Sequence, residues 1–329
     1  MPQQQRLIPT ISREYRNHFG LFWRVMFPVI IISILFYLGL FLSFKLGNPD
    51  AQWHFSTLQA ISAYPSLIYD SPSDVDSAFS SVTRVDYGTG FSGSSFDIGL
   101  LWLAMCPIVF IVAQHWRGVK VDFVDVWRRI LQKTISILGT YVLLVALVLV
   151  PGSVVIFLYT QFFIQDASVG FPSIFLLLLI VKTAVVYFLV KWSLYNQCII
   201  LENLSTIAAF RRSGELVRGA WGRFFGIYLL LALVTMVFTT AVFGLTLLLL
   251  SVAAPEFAPL REVLLSGRFF GIFFGSYVKI TLQSAPVWAI GVMVVVNTLI
   301  NAVFAPIWAI LTTHLYMEQA GVSEQPVSG

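Results

Sequence analysis

The side chains in this chain able to hold a metal or move a proton are four histidines, two cysteines and sixteen carboxylates. Metal-dependent hydrolysis needs histidines and carboxylates gathered around a divalent ion, so that its bound water ionises near neutral pH. His18, His54, His115 and His314 fall on four separate segments, with no His-Glu-x-x-His or paired-carboxylate spacing. Gly-x-Ser-x-Gly nucleophile turns and phosphate-gripping glycine loops are absent from the sequence. Cys106 and Cys198 are too few for a disulfide framework and sit in or beside apolar runs. The expectation is therefore no catalytic residue, no metal site, no cofactor and no enzymatic activity.

Two polar groups stand out instead. Lys182 lies about nine residues into an apolar run, about 14 Å deep at 1.5 Å per residue, which is too central for its stem to reach water easily. A charge there costs at least about 2.5 kcal/mol and faces a bundle interior or a wet cavity. Asn297 and Asn301 lie one helical turn apart at comparable depth in another run, so Lys182, Asn297 and Asn301 form a candidate intramembrane polar cluster. The second group is Glu202 with Arg211, Arg212 and Arg218. It is read either as a lock that fixes how one helix turns back along the membrane, or as a binding site for anionic lipid headgroups.

These positions need helices in lipid to hold them. Hydrophobic residues make up 58% of the chain and charged residues 11%, with a mean hydropathy of +0.84. A globular chain carries about 25% charge, so the solvent to reason in is the bilayer. The net charge of +4 does not imply nucleic acid, because the basic residues sit in short patches between apolar runs. Runs long enough to cross about 30 Å of hydrocarbon are Leu21–Leu46, Ile98–Trp116, Thr134–Phe163, Ser173–Lys191, Phe224–Ala253 and Val287–Tyr316. The first is too long for a cleaved signal core and reads as a retained anchor. Pro151-Gly152 and Pro306 predict kinks. The expected fold is an all-α polytopic bundle of about six transmembrane helices forming one domain over residues 1–329.

Lysine and arginine set the direction of the spans. With a cytoplasmic N-terminus, 14 of them fall on inside segments and 5 on outside ones, which favours both termini in the cytoplasm. The acidic, aromatic-bearing loop over residues 47–97 then lies outside. Residues 121–133 show an amphipathic helix containing Trp127-Arg128-Arg129, with Asp125 paired to Arg129 one turn on. Residues 204–218 show another, containing Phe210-Arg211-Arg212, with Ile207, Phe210, Gly214 and Val217 on one face. A weaker copy, with Ile11, Tyr15, Phe19 and Phe22 in a stripe, precedes the first span. Three units follow, at about 8–116, 121–191 and 204–316, each an interfacial helix and a transmembrane hairpin.

Leu201-Glu202-Asn203-Leu204-Ser205, then Ala208-Ala209-Phe210-Arg211-Arg212-Ser213 and Leu216-Val217-Arg218-Gly219 before a long apolar run, resemble a known family. It is the membrane domain found beside some bacterial glycerophosphodiester phosphodiesterases, which also occurs alone. Ala305-Pro306 and Thr312-Thr313-His314-Leu315-Tyr316 are similar to its final helix. Asn196-Gln197-Cys198, where the family carries proline, and Met317-Glu318 after the terminal tyrosine depart from its pattern. The resemblance implies a six-helix architecture in the bacterial inner membrane and no activity, because catalysis in the fused enzymes belongs to a separate barrel domain.

The leading expectation is a non-enzymatic module whose partners are membrane lipids or other membrane proteins. The alternative is a transporter or permease subunit moving a small or amphipathic substrate along a path near Lys182, energised by a separate ATPase if nucleotide-driven.

Overall fold

The computed structural model describes residues 7–47, 52–55, 67–68, 104–119, 121–163, 179–181, 183–258, 261, 265, 278–281 and 284–321. Its helices are α1 (Leu7–Asn17), α2 (Phe19–Gly47), α3 (Ala104–Trp116), α4 (Phe123–Phe163), α5 (Leu179–Leu201), α6 (Thr206–Val217), α7 (Trp221–Ala253) and α8 (Val287–Gln319). Four of them, α2, α5, α7 and α8, are long and apolar enough to cross a membrane. Residues 98–103 of the expected second span and 173–178 of the fourth lie outside the described residues.

Two features differ from the expected bundle. Residues 121–133 do not form a separate interfacial helix: α4 runs unbroken for 41 residues, about 60 Å at 1.5 Å per residue. Its polar first turns and its apolar remainder share one backbone hydrogen-bond ladder, because no glycine or proline interrupts residues 124–138. Helix is also not the whole of the fold. β1 (Gln52–Phe55) pairs antiparallel with both β2 (Leu67–Ile68) and β3 (Val278–Thr281), in the order β2-β1-β3. Trp53 faces Leu67 on one side and Ile280 on the other.

The chain divides into two compact units. The first comprises Met1–Phe22, Leu103–Leu229 and Pro306–Gly329. Within it α6 packs on α4 and on the last segment of α5, and Val126, Ile130, Leu194, Ile199 and Phe224 are fully buried. The second comprises Trp23–Trp102 and Leu230–Ala305 and holds the sheet. There Lys45 Nζ donates to the Ala285 carbonyl at 2.7 Å, joining the end of α2 to the segment that opens α8.

Side chains are sorted for lipid. Leu35, Ile135, Val237 and Leu249 are exposed, while Thr140, Thr246, Thr298 and Thr313 are buried. Each of those threonine hydroxyls donates to the carbonyl four residues back, at 2.6–2.9 Å. A buried hydroxyl is thus satisfied within its own helix, as an environment without water demands. Pro28 and Pro306 are accommodated inside α2 and α8.

Candidate functional site

The polar groups of the first unit gather where α5 ends, α6 runs, α7 begins and α8 ends. At Trp192–Leu194 the helical ladder of α5 gives way to a turn before Tyr195–Leu201 resumes it. A break of this kind strands backbone groups that need partners when buried. Ser213 of α6 supplies them: its hydroxyl donates to the Lys191 carbonyl and accepts from the Leu194 amide, both at 3.1 Å. Ser213 is fully buried, so a single hydroxyl seats α6 against the turn. Tyr228 of α7 donates to Ser193 Oγ at 2.9 Å, tying the same turn to a third helix.

The face of α6 that packs inward is Ala209, Phe210, Ser213, Leu216 and Val217. Ile207, expected on the apolar stripe, points outward and is 78% exposed. Phe210 and Val217 of the expected stripe do face inward, and Ser213 between them makes the hydrogen bonds that seat α6. Gly214 leaves room for the Lys191 stem, whose Cε lies 3.3 Å from where a β-carbon would sit.

Glu202 caps the C-terminal end of α5, just before Asn203 takes a positive φ of 60° that lets the chain reverse into α6. Arg212 Nε lies 3.2 Å from both carboxylate oxygens, and the Tyr316 hydroxyl donates to Oε1 at 2.7 Å. The hydrogen bond to Glu202 holds the Arg212 guanidinium above its usual value. Of the arginines expected around Glu202, only Arg212 joins it. Arg211 and Arg218 are exposed, and Arg218 forms the end of α6. Tyr316 was not among the expected members, although it closes the cluster from α8.

Two further contacts bind α8 to the same region. Gln197 Nε2 donates to Thr312 Oγ1 at 2.7 Å, and Thr312 in turn donates to the Trp308 carbonyl at 2.9 Å. Arg223, in the first turn of α7, makes a two-pronged pair with the Glu318 carboxylate, with Nη2 to Oε2 at 2.8 Å. That geometry is available to arginine and not to lysine.

Ile11 and Glu14 on α1, His18 at the turn that follows it and Phe22 on α2 recur at spacings of three and four residues, so one face carries both apolar and ionisable groups. Glu14 points inward and is 6% exposed, whereas Phe19, expected in the apolar stripe, is exposed. The His115 ring at the end of α3 packs edge-on to His18 with centroids 4.2 Å apart. Burial first, then the neighbouring His115, lowers the His18 pKa, against the opposing pull of Glu14. The adjacent Trp116 packs edge-on to His314 at 4.4 Å.

The expected Asp125–Arg129 pair does not form. Asp125 lies 3.9 Å from Arg128, both well exposed, and Arg129 lies over the Phe110 ring at 5.4 Å. With Asp122, Asp125 and Arg128 they line an open cleft of about 390 Å³ between the end of α3 and the start of α4. Of the intramembrane cluster, Lys182 lies outside the described residues. Asn297 and Asn301 sit one turn apart on α8; Asn297 is buried, and its Oδ1 makes no hydrogen bond with any described residue.

Comparison of the chain with protein-family models, with curated proteins and with solved structures finds no match.

Proposed function

We propose that this chain is a non-enzymatic, multi-pass protein of the bacterial inner membrane, and that α6 presents an anionic-lipid binding face at the cytoplasmic surface. The division of labour among the arginines carries this reading. Arg212 is committed to Glu202, while Arg211 and Arg218 on the same short helix remain exposed beside the outward-pointing Ile207. An apolar residue flanked by free arginines is the pattern of a helix lying at a lipid surface, and each arginine there contributes about 1 kcal/mol toward anionic headgroups.

The reading includes six crossings and both termini in the cytoplasm. It is supported by the pairing of β1 with β3, since these strands belong to segments assigned to the same, outer side. It also includes a threefold repeat, in line with α1, the first turns of α4 and α6 each leading into an apolar helix. The likeness to the membrane domain found beside glycerophosphodiester phosphodiesterases is part of the same proposal. Of its residues, Glu202, Arg212 and Tyr316 meet in one cluster, and Ser213 of the same helix α6 bonds to the turn in α5.

The test is native mass spectrometry of the protein released from nanodiscs that contain a mixture of phosphatidylglycerol and phosphatidylcholine. Retained lipid is expected to be enriched in the anionic species, and that enrichment falls in the double variant Arg211→Gln, Arg218→Gln, which leaves the Glu202–Arg212 pair intact. Retention indifferent to headgroup charge would overturn the lipid reading and favour a protein partner on this face.

A second reading is a transporter or permease subunit with its substrate path near Lys182; Asn297, in the second unit, is a separate observation in favour of a transport role. A buried amide oxygen without a described partner on a membrane-crossing helix suits a site that a substrate completes. Replacing Lys182 with Met and finding uptake and binding unchanged would remove it.

A further inference from the structure

We infer that Glu14, His18 and His115 form a binding site for a divalent transition-metal ion of the zinc class, clamping the N-terminal helix α1 to the end of α3. The three side chains offer one ligand atom each, and these atoms all lie within 4.8 Å of one another. Glu14 Oε2 is 3.6 Å from His18 Nε2 and 3.9 Å from His115 Nε2. Ligand atoms around a tetrahedral zinc ion, at about 2.0–2.1 Å from the metal, are about 3.3 Å apart. Closing the observed separations to that value takes only small side-chain rotations.

The carboxylate supplies the independent reason to expect a cation. The Glu14 side chain is 8% exposed, and its Oε2 makes no hydrogen bond with any described residue. His18 Nε2, directed at the same space, likewise makes none. Two buried polar atoms aimed at each other beyond hydrogen-bond range are disfavoured unless something sits between them. A bare proton shared by such a pair would draw the atoms to hydrogen-bond distance, whereas an ion about 2 Å from each ligand keeps them apart.

The donor set selects the metal. One carboxylate and two imidazoles suit zinc and its neighbours, whereas calcium and magnesium demand six or more oxygen ligands. Glu14 and His18 are one turn apart on a helical face, the spacing that lets two side chains meet one ion, and His115 arrives from a different helix. His115 is 42% exposed, so the fourth position opens toward solvent and water can fill it. The cationic side chains nearest in sequence, Arg13, Arg16 and Arg117, are all exposed.

The decisive measurement is metal binding by the tag-free, full-length protein in detergent after chelator treatment. Cobalt(II) serves as the spectroscopic probe, and zinc(II) is counted by elemental analysis. One cobalt per chain is expected, with visible absorption of a four- or five-coordinate nitrogen–oxygen site that zinc displaces. Zinc should also raise the melting temperature of the chelated protein. Replacing the half-exposed His115 with Ala should weaken binding by at least about tenfold and abolish that rise. Glu14→Gln is the companion variant, checked for a monodisperse elution profile. Saturable binding that both variants retain at full strength would overturn the assignment, as would no binding at all by a monodisperse wild-type protein.

Discussion

Tyr316 near the end of α8 donates its hydroxyl hydrogen to Glu202 at the end of α5, at 2.7 Å and across 114 residues of sequence. The same carboxylate receives Arg212 from α6. One acidic side chain thereby fixes three helices, and the geometry bears directly on what α6 can present to its surroundings.

The first prediction concerns this cluster. Tyr316→Phe removes a hydrogen bond to a charged acceptor and should destabilise the protein by about 1.5–3 kcal/mol. The loss should largely vanish when Glu202 is already Gln. Unfolding in a graded detergent series, run as a double-mutant cycle, reads the coupling. Additivity within about 0.5 kcal/mol would mean that the two residues do not act together.

Ser213 gives a second. Its hydroxyl answers both the Lys191 carbonyl and the Leu194 amide at the turn in α5. Ser213→Ala leaves the buried Leu194 amide and the part-buried Lys191 carbonyl without this partner, a loss of about 1–3 kcal/mol. Hydrogen exchange of the Leu194 amide should accelerate in the variant. Unchanged protection there would show that the turn does not depend on α6.

Arg223 and Glu318 make a pair that is partly open to solvent, with side chains 28% and 32% exposed. Their coupling should be modest, about 1 kcal/mol, and should shrink as salt rises from low to molar concentrations. Arg223→Lys should forfeit most of it, since lysine cannot make the two-pronged contact. A salt-independent cycle would contradict a mainly electrostatic origin.

At Asn297 the expected change has the opposite sign. Because the buried Oδ1 has no described partner, Asn297→Leu should stabilise the protein by about 1 kcal/mol. Thermal unfolding measures it. A clear destabilisation would reveal a partner for the amide. Stabilisation with loss of substrate uptake would favour the permease reading.

What was legible in the sequence was whatever depends on local pattern. The apolar runs mark α2, α7 and α8 to within a few residues, because a helix is the cheapest way to satisfy backbone groups in hydrocarbon. The amphipathic stripes mark α1 and α6, and the proximity of Glu202 to Arg212 follows from a short reversal between them.

Long-range partners were not legible. Tyr316 reaches Glu202, Thr312 reaches Gln197, and His115 reaches Glu14 and His18 only because helices far apart in sequence pack side by side. Along the sequence the histidines are scattered, because spacing along the chain carries no information about which helix ends become neighbours. Ile207 departs from the inward face that periodicity predicts for α6: hydrophobicity orders side chains by their affinity for water, and in this fold a buried serine makes the hydrogen bonds that seat the helix. The strand pairing of residues 52–55 with 278–281 is a backbone hydrogen-bond choice, and no periodicity in those short segments announces it. Composition and periodicity thus determined the solvent and the helices, while packing decided which polar groups meet. Pairing energies depend on distances of a few ångströms that only the folded chain sets.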